Sequence, residues 1–211
     1  EMFLAVTSAG YIAINLPSML PAQAIVGCCM KFGVKVLAAG NAFTETVKEA
    51  PCKVIAITEL ADHTAPVATV DKNDPAAIFF TGGTTGAPKG AILPHRALMR
   101  GALNGLYAPG HQLGCHRYAC VLPLSHVFGL IFSTLSVLYK GASWYSAGNT
   151  KDTIGKLPVI RPTMMVAVPG ICEILLGLVK MYGKPFLGGE LQIIISGAAN
   201  VPPKLIGEFD E

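Results

Sequence analysis

Short runs of apolar residues alternate along this chain with longer segments whose apolar positions recur at helical spacing. The short runs predict eight strands, at residues 11–15, 34–37, 53–58, 76–80, 118–122, 142–145, 163–168 and 191–195. The longer segments predict six helices, at residues 21–31, 42–49, 95–106, 127–139, 171–181 and 203–210. Gly33 and Gly141 follow two of these helices, where a glycine commonly ends a helix.

Several predicted strands are continuously apolar and show no alternation between apolar and polar positions. Such strands are typical of a parallel sheet that helices cover on both faces. The chain is therefore predicted to be an α/β protein with mostly parallel sheet structure flanked by helices on both faces. One linker-like stretch, residues 61–75, indicates two sub-regions, 1–75 and 76–211.

The composition is apolar for a globular domain. Of 211 residues, 52% are hydrophobic and only 14% are charged, with a mean hydropathy of +0.51, whereas the charged fraction is usually about 25%. A sheet buried on both faces would explain this, and so would a part of a larger body whose exposed side meets a partner domain. The net charge of +3, without a lysine or arginine stripe, does not favour a nucleic-acid partner.

Membrane and export features are weak. The longest apolar stretch, residues 127–139, is shorter than the roughly 20 residues of a membrane span, and peripheral membrane contact is not indicated. The opening residues carry no signal-peptide pattern, so we expect a cytoplasmic protein.

Cysteine usage agrees with a reducing compartment. The six cysteines form no CxxC pair and are expected to be buried thiols; they are Cys28, Cys29, Cys52, Cys115, Cys120 and Cys172. A metal site at His111, Cys115, His116 and Cys120 is an alternative, but the spacing is not that of a zinc finger. Cys120 also lies in a predicted strand, where we expect burial.

The most informative stretch is TGGTTGAPKG, residues 81–90, which follows a predicted strand. Glycines allow a ligand close to the backbone, successive N–H groups can bind an anion, and threonine hydroxyls and a lysine add donors and charge. The pattern favours a polyphosphate. It is not a Walker loop, because no Ser or Thr follows Lys89. The structural alternative is a glycine-rich hairpin with incidental threonines.

This loop strongly resembles the phosphate-binding signature of the adenylate-forming superfamily, which includes acyl-CoA synthetases, peptide-synthetase adenylation domains and luciferases. PLSHVFGL (123–130), PTMMVAVPGICEILL (162–176) and IISGAANVPPKL (194–205) resemble further segments of that family, and so does the opening of the chain. The likeness covers nearly all of the sequence and is greatest to fatty acyl-CoA ligases.

The resemblance implies that residues 1–211 are part of the large N-terminal, AMP-binding domain of a longer enzyme. The YGxTE and TGD segments of the family and its small C-terminal domain are absent from the sequence. The glutamate that helps the family bind magnesium would lie beyond Glu211, so no metal ligand is expected in this portion. We expect the fragment alone to be inactive.

The resemblance also implies roles for individual residues. ATP phosphates would be bound by Thr81, Gly82, Gly83, Thr84, Thr85, Gly86 and Lys89, with Lys89 and His126 as the catalytic pair. The acyl and adenine cleft would be lined by His126, Phe128, Gly129, Gly197, Ala198 and Ala199. From spacing alone, His126 could instead be a core histidine that caps the following helix, and His95 is interpreted as opening a helix.

The implied activity is ATP-dependent conversion of a carboxylic acid into an acyl-adenylate and then an acyl-CoA. ATP with Mg²⁺ and CoA would be substrates, without a tightly bound cofactor, and the partners would be ATP, the acid, CoA and the remainder of the same chain. No acidic residue lies between Cys120 and Tyr139 to pair with an ammonium group, so a fatty or aryl acid is favoured over an amino acid. The alternatives are an aryl-acid adenylating domain that loads a carrier protein, and a non-enzymatic phosphate-binding module.

Overall fold

The computed structural model describes residues 1–17, 19–59, 67–81, 89–105 and 115–210. The chain divides into two compact units, unit 1 (Glu1–Val70) and unit 2 (Asp71–Glu211). None of the helices in the described ranges combines the length and the apolar character of a membrane-crossing segment.

The described ranges contain strands and helices in alternation. The strands are β1 (Ala13–Ile14), β2 (Val36–Ala39), β3 (Lys53–Ala56), β4 (Pro75–Thr81), β5 (Lys89–Pro94), β6 (Arg117–Cys120), β7 (Ser143–Tyr145), β8 (Met164–Ala167) and β9 (Ile193–Ser196). The α-helices are α1 (Met2–Ser8), α2 (Ala22–Phe32), α3 (Asn41–Thr44), α4 (His95–Asn104), α5 (Ser136–Tyr139), α6 (Thr150–Gly155), α7 (Leu157–Ile160), α8 (Pro169–Tyr182) and α9 (Pro203–Asp210). A π-helix spans Phe128–Leu135, and 3₁₀ turns span Ile57–Glu59 and Lys184–Leu187.

Unit 1 contains one parallel pair, β2 and β3, in which Val36 lies opposite Lys53. Helix α2 ends at Gly33, whose φ of 58° is in the left-handed region that glycine adopts without strain. The predicted helix at 42–49 is wrong in extent, because only Asn41–Thr44 is helical and turns follow. A segment of this length without a wide apolar face gains little from packing, so only one turn persists.

Unit 2 contains a four-stranded, wholly parallel sheet in the order β7-β6-β8-β9. Alternate residues of its two central strands face opposite sides. Ala119 and Met165 pack with α6, α7, α8 and α9 on one face, whereas Tyr118 and Met164 pack with Phe128, Phe132 and Val137 on the other. All four residues of β8 are buried. The predicted parallel sheet with helices on both faces is confirmed here.

The strands β4 and β5 form an antiparallel hairpin, with Thr81 opposite Lys89 and Phe79 opposite Ala91. The sequence analysis predicted β4 but placed no strand at 89–94. Seven residues separate the two strands, and a connection that short can join antiparallel neighbours, whereas a parallel pair needs a dozen or more. Helix α4 begins directly after β5, at His95 as expected, and the His95 N–H donates to the Asp74 carbonyl at 3.1 Å.

Five helical segments were not predicted: α1, α6, α7 and the 3₁₀ turns at Ile57–Glu59 and Lys184–Leu187. Helix α6 is short and is capped by Asn149, whose Oδ1 accepts from the Asp152 N–H at 2.8 Å. Helix α7 buries Leu157 completely against the sheet. Segments of two turns or fewer are too short to show helical periodicity, so tertiary packing and capping decide their structure.

Candidate functional site

The carboxyl edge of the four-stranded sheet is the candidate site, because the strand order reverses there. After β6 the chain moves to β7 on one side, whereas after β8 it moves to β9 on the other side. In open α/β sheets such a reversal leaves a crevice outside the carboxyl ends of the two strands, and ligands bind in it. The segments that leave β6, β8 and β9 at this edge are residues 121–127, 168–170 and 197–202.

His126 lies in the segment after β6 and is exposed. Its Nδ1 accepts a hydrogen bond from the Phe128 N–H at 3.2 Å, and its carbonyl accepts from the Leu130 N–H at 2.9 Å. The ring therefore caps the helix that follows, as the alternative interpretation from spacing predicted. His126 is exposed, however, so it is not a core residue. Because Nδ1 is an acceptor, the neutral ring carries its proton on Nε2, which can donate to a further group.

Gly129 holds this segment tightly folded. A Cβ at Gly129 would lie 2.2 Å from the Pro123 carbonyl oxygen, so no other residue fits without a backbone shift. The Gly129 carbonyl accepts from the hydroxyls of Ser133 and Thr134, the latter at 2.8 Å and five residues along the chain. The predicted helix at 127–139 is thus a π-helix followed by α5. Isolated π-helical turns are rare and occur frequently at functional sites.

The segment after β9 meets the segment after β6. A Cβ at Gly197 would lie 3.4 Å from Cζ of Phe128, so the Phe128 ring packs directly over Gly197. The next residue, Ala198, has a φ of +62°, which costs a non-glycine residue about 1 kcal/mol. Ala198 and Ala199 are exposed. Two motifs about 70 residues apart in the sequence therefore line one crevice.

Side chains that the sequence analysis did not assign also lie at this edge. The Cys172 thiol in α8 lies 3.8 Å from the Ser196 hydroxyl at the end of β9. Burial raises the pKa of Cys172, so this thiol stays protonated. A buried cysteine next to a strand end has no sequence pattern of its own, and only the packing of α8 on the sheet locates it.

Charge is distributed unequally between the two edges of the sheet. At the amino edge, Glu190 forms ion pairs with Arg117 and Arg161. At the carboxyl edge, the segments 121–127, 168–170 and 197–202 carry no Asp or Glu. These three segments therefore offer no anionic partner for a cationic substrate.

The glycine-rich loop is described only at its two ends. Thr81 and Lys89 pair across the hairpin, and the Lys89 side chain is exposed. The strands on either side of the loop form a hairpin, as the structural alternative expects, and a hairpin is compatible with phosphate binding. The residues Gly82, Gly83, Thr84, Thr85 and Gly86 lie outside the described residues, so their phosphate-binding roles and that of the Thr81 hydroxyl stay predictions.

The cysteine expectation needs one correction. All six cysteines are free thiols. Cys115 is exposed and Cys28 and Cys52 are partly exposed, so only the remaining three are buried as expected. His116 Nδ1 lies 2.9 Å from the Thr163 hydroxyl, and the Cys120 thiol donates to the Leu122 carbonyl. His111 lies outside the described residues. Within the described ranges no group of three metal-ligating side chains converges.

Comparison with known proteins supports one family. The profile of the AMP-binding enzyme family matches residues 1–211. Long-chain-fatty-acid–CoA ligase 1 of Saccharomyces cerevisiae is 34% identical over 112 residues, which cover 48% of this chain and 16% of that protein. 4-Coumarate–CoA ligase-like 3 of Oryza sativa subsp. japonica is 27% identical over 98% of this chain and 41% of that protein.

A solved structure shows the same fold. The anthranilate CoA ligase AuaEII in complex with anthranoyl-AMP superposes with a TM-score of 0.84 at 19% identity, over 99% of this chain and 44% of that protein. The chain thus spans less than half the length of these relatives.

Proposed function

This chain belongs to the AMP-binding enzyme family, and we propose that it forms part of a longer acid–thiol ligase. That enzyme would activate a carboxylic acid with ATP and pass the acyl group to CoA. The observation that carries the proposal is the contact of Phe128 with Gly197 at the carboxyl edge of the parallel sheet. It joins the two motifs assigned to the acyl and adenine cleft at the place where α/β sheets bind ligands.

The proposed reaction has two steps. A carboxylate oxygen of the acid attacks the α-phosphorus of ATP, the bond to the β-phosphate oxygen breaks, and pyrophosphate leaves. The thiol of CoA then loses its proton and its sulfur attacks the acyl carbon; the bond between that carbon and the AMP phosphate oxygen breaks, and AMP leaves. Both steps build negative charge on a leaving phosphate, so fixed donors and cations aimed at that charge accelerate them.

In this proposal the hairpin loop holds the β- and γ-phosphates and Lys89 supplies positive charge to the departing pyrophosphate. His126 donates from Nε2 to a carboxylate oxygen of the acid, since its Nδ1 is engaged by the Phe128 N–H. Magnesium would enter with ATP, and no step is assigned to a protein-held metal.

The proposed substrate is an acid with an uncharged tail, with a fatty acid preferred and an aryl acid as the alternative. The absence of acidic residues from the three segments at the carboxyl edge supports an uncharged tail, because a buried ammonium group without a partner costs several kcal/mol. The relatives include both a long-chain-fatty-acid–CoA ligase and a 4-coumarate–CoA ligase-like protein. Transfer to a carrier protein in place of CoA is the corresponding alternative for the second step.

The test is acid-dependent exchange of labelled pyrophosphate into ATP by the extended reading frame, with straight-chain acids from acetate to palmitate and with substituted benzoates and cinnamates. Exchange with one class of acid would identify the substrate. No exchange with any acid would contradict the proposal and leave the phosphate-binding module as the remaining interpretation. The 211-residue chain alone is expected to show no exchange.

Lys89→Ala is expected to slow exchange about 100-fold, the usual effect of removing one preorganised donor from a developing charge. Lys151→Ala, which removes an exposed lysine of α6, is the matched control and should leave exchange unchanged. Equal rates for Lys89→Ala and the control would remove Lys89 from the phosphate site.

His126→Leu should raise the KM for the acid more than the KM for ATP, and His126→Gln, which keeps a donor, should recover part of the loss.

A further inference from the structure

Two cysteines of unit 1, outside the candidate active site, line the same pocket. Cys29 lies near the end of α2 and Cys52 directly precedes β3, and both border a pocket of about 360 Å³ together with Lys35 and Pro51. The two residues are 23 positions apart in the sequence, so tertiary structure alone brings them together.

The backbone holds the two cysteines on either side of one short connection. The Val34 N–H donates to the Cys29 carbonyl at 3.0 Å after the left-handed turn at Gly33, and the Lys53 N–H donates to the Lys35 carbonyl at 3.2 Å. Residues 34 and 35 are therefore tied to Cys29 on one side and to the 52–53 peptide on the other. Cys52 lies close enough to Cys29 to affect its ionisation, and both side chains line the same pocket.

The two thiols have different surroundings. Cys29 is only 1% exposed, whereas Cys52 is partly exposed. Burial first, and then the neighbouring Cys52, raise the pKa of Cys29 to about 11. Cys52 therefore meets solvent first, and Cys29 is held beside it as a protonated thiol.

We propose that Cys29 and Cys52 form a reversible disulfide when unit 1 meets a low-molecular-weight disulfide such as glutathione disulfide. The Cys52 thiolate attacks one sulfur of glutathione disulfide, and one glutathione thiolate leaves. Cys29 loses its proton and attacks Sγ of Cys52 in the resulting mixed disulfide, and the second glutathione leaves as thiolate. The two protein thiols are oxidised by two electrons, and one glutathione disulfide is reduced to two molecules of glutathione.

The test uses the full chain incubated with glutathione disulfide, alkylated and digested with trypsin without reduction. Cys28 and Cys29 lie on the peptide 1–31 and Cys52 lies on the peptide 49–53, so the disulfide joins these two peptides. The linked pair is expected to form, with fragmentation placing the bond on Cys29 and not on Cys28. Dithiothreitol should abolish it completely.

Three variants separate this bond from its alternatives. Cys28→Ser, the matched neighbour on α2, should still form the linked pair. Cys52→Ser should lose it, and Cys29→Ser should leave Cys52 as a mixed disulfide with glutathione. The proposal is overturned if fragmentation of the wild-type peptide places the bond on Cys28, or if Cys29 and Cys52 each carry glutathione without becoming linked. The wild-type measurement decides the matter even if Cys29→Ser does not fold.

Discussion

Units 1 and 2 both contain parallel strands made largely of apolar residues, but the strands that are covered on both faces are the central strands β6 and β8 of unit 2. The four residues of β8 are at most 1% exposed, whereas Val36 in β2 is 51% exposed. In unit 2, helices pack against both sides of the sheet. Unit 1 leaves large apolar side chains in contact with solvent, including Tyr11 at 69%, Met19 at 94% and Met30 at 63%. The apolar pattern therefore predicts a strand in both units, but the covering layers decide how much free energy that strand contributes.

The largest expected difference is between matched core truncations. Met165→Ala in β8 should lower the free energy of unfolding of unit 2 by about 3 to 5 kcal/mol, because the methionine is fully buried. Val36→Ala in β2 should lower the free energy of unfolding of unit 1 by less than about 1 kcal/mol. Trp144, the only tryptophan, lies in β7, so its fluorescence during urea unfolding reports unit 2, and hydrogen exchange of β2 amides reports unit 1. Similar losses in both variants would contradict the comparison.

Glycine substitutions sharpen the comparison next. Gly129→Ala should destabilise unit 2 by about 2 to 3 kcal/mol, because the new Cβ would meet the Pro123 carbonyl at 2.2 Å. Gly27→Ala in α2 is the matched change in unit 1, with no atom within 4 Å of the new Cβ, and should stabilise the helix by about 0.5 to 1 kcal/mol. Hydrogen exchange should therefore become faster in unit 2 for Gly129→Ala and slower in unit 1 for Gly27→Ala. A neutral Gly129→Ala would show that the segment at Pro123 can move away.

The strained backbone at Ala198 tests the candidate site itself. Ala198→Gly should stabilise unit 2 by up to about 1 kcal/mol, since glycine adopts a φ of +62° without a steric cost. Ala199→Gly, one position along the chain and without a positive φ, should not stabilise it. Urea unfolding followed by Trp144 fluorescence gives both values, and a loss of stability in Ala198→Gly would show that the Ala198 methyl makes a favourable contact.

Surface charge should have the smallest effect. Lys180 Nζ lies 3.1 Å from Glu208 and Lys204 lies 3.7 Å away, and these lysines lower the pKa of Glu208. A lowered folded-state pKa stabilises the folded state above the ordinary glutamate pKa, and this contribution is lost as the pH falls through the folded value. Glu208→Gln should lower Tm slightly at neutral pH and not at low pH or in 1 M salt. The control is Glu45→Gln, which removes the exposed Lys48–Glu45 ion pair of unit 1 and should leave Tm unchanged.

The predicted strands show where sequence reasoning succeeds. The strand predicted at 163–168 is continuously apolar from Met164 to Val168, and β8 forms there because a strand buried on both faces carries apolar side chains on both. Residues 89–94 mix Lys89, Gly90 and Pro94 with apolar positions, and β5 was missed because its strand structure comes from pairing with β4. The helix predicted at 127–139 exists, but its π-helical form depends on the contact of Gly129 with Pro123.

The candidate site divides in the same way. The motifs around His126 and Gly197 could be named from the sequence, because chemistry at a ligand site demands particular residue types at short spacing. Their contact through the Phe128 ring could not be predicted by spacing, since the two motifs leave the ends of different strands. The Cys29–Cys52 pocket had no motif, and only the connection at residues 34 and 35 brings the two thiols together.

By itself, then, the sequence determined the α/β class, the positions of most strands and the family, because these depend on local apolar patterns and on short motifs. The tertiary structure alone decided the strand order β7-β6-β8-β9, the crevice at the reversal between β6 and β8, and the difference in burial between the two units. The physical reason is that burial and crevices are produced by segments far apart in the chain. Their free energy depends on which surfaces meet, and a local pattern does not specify that.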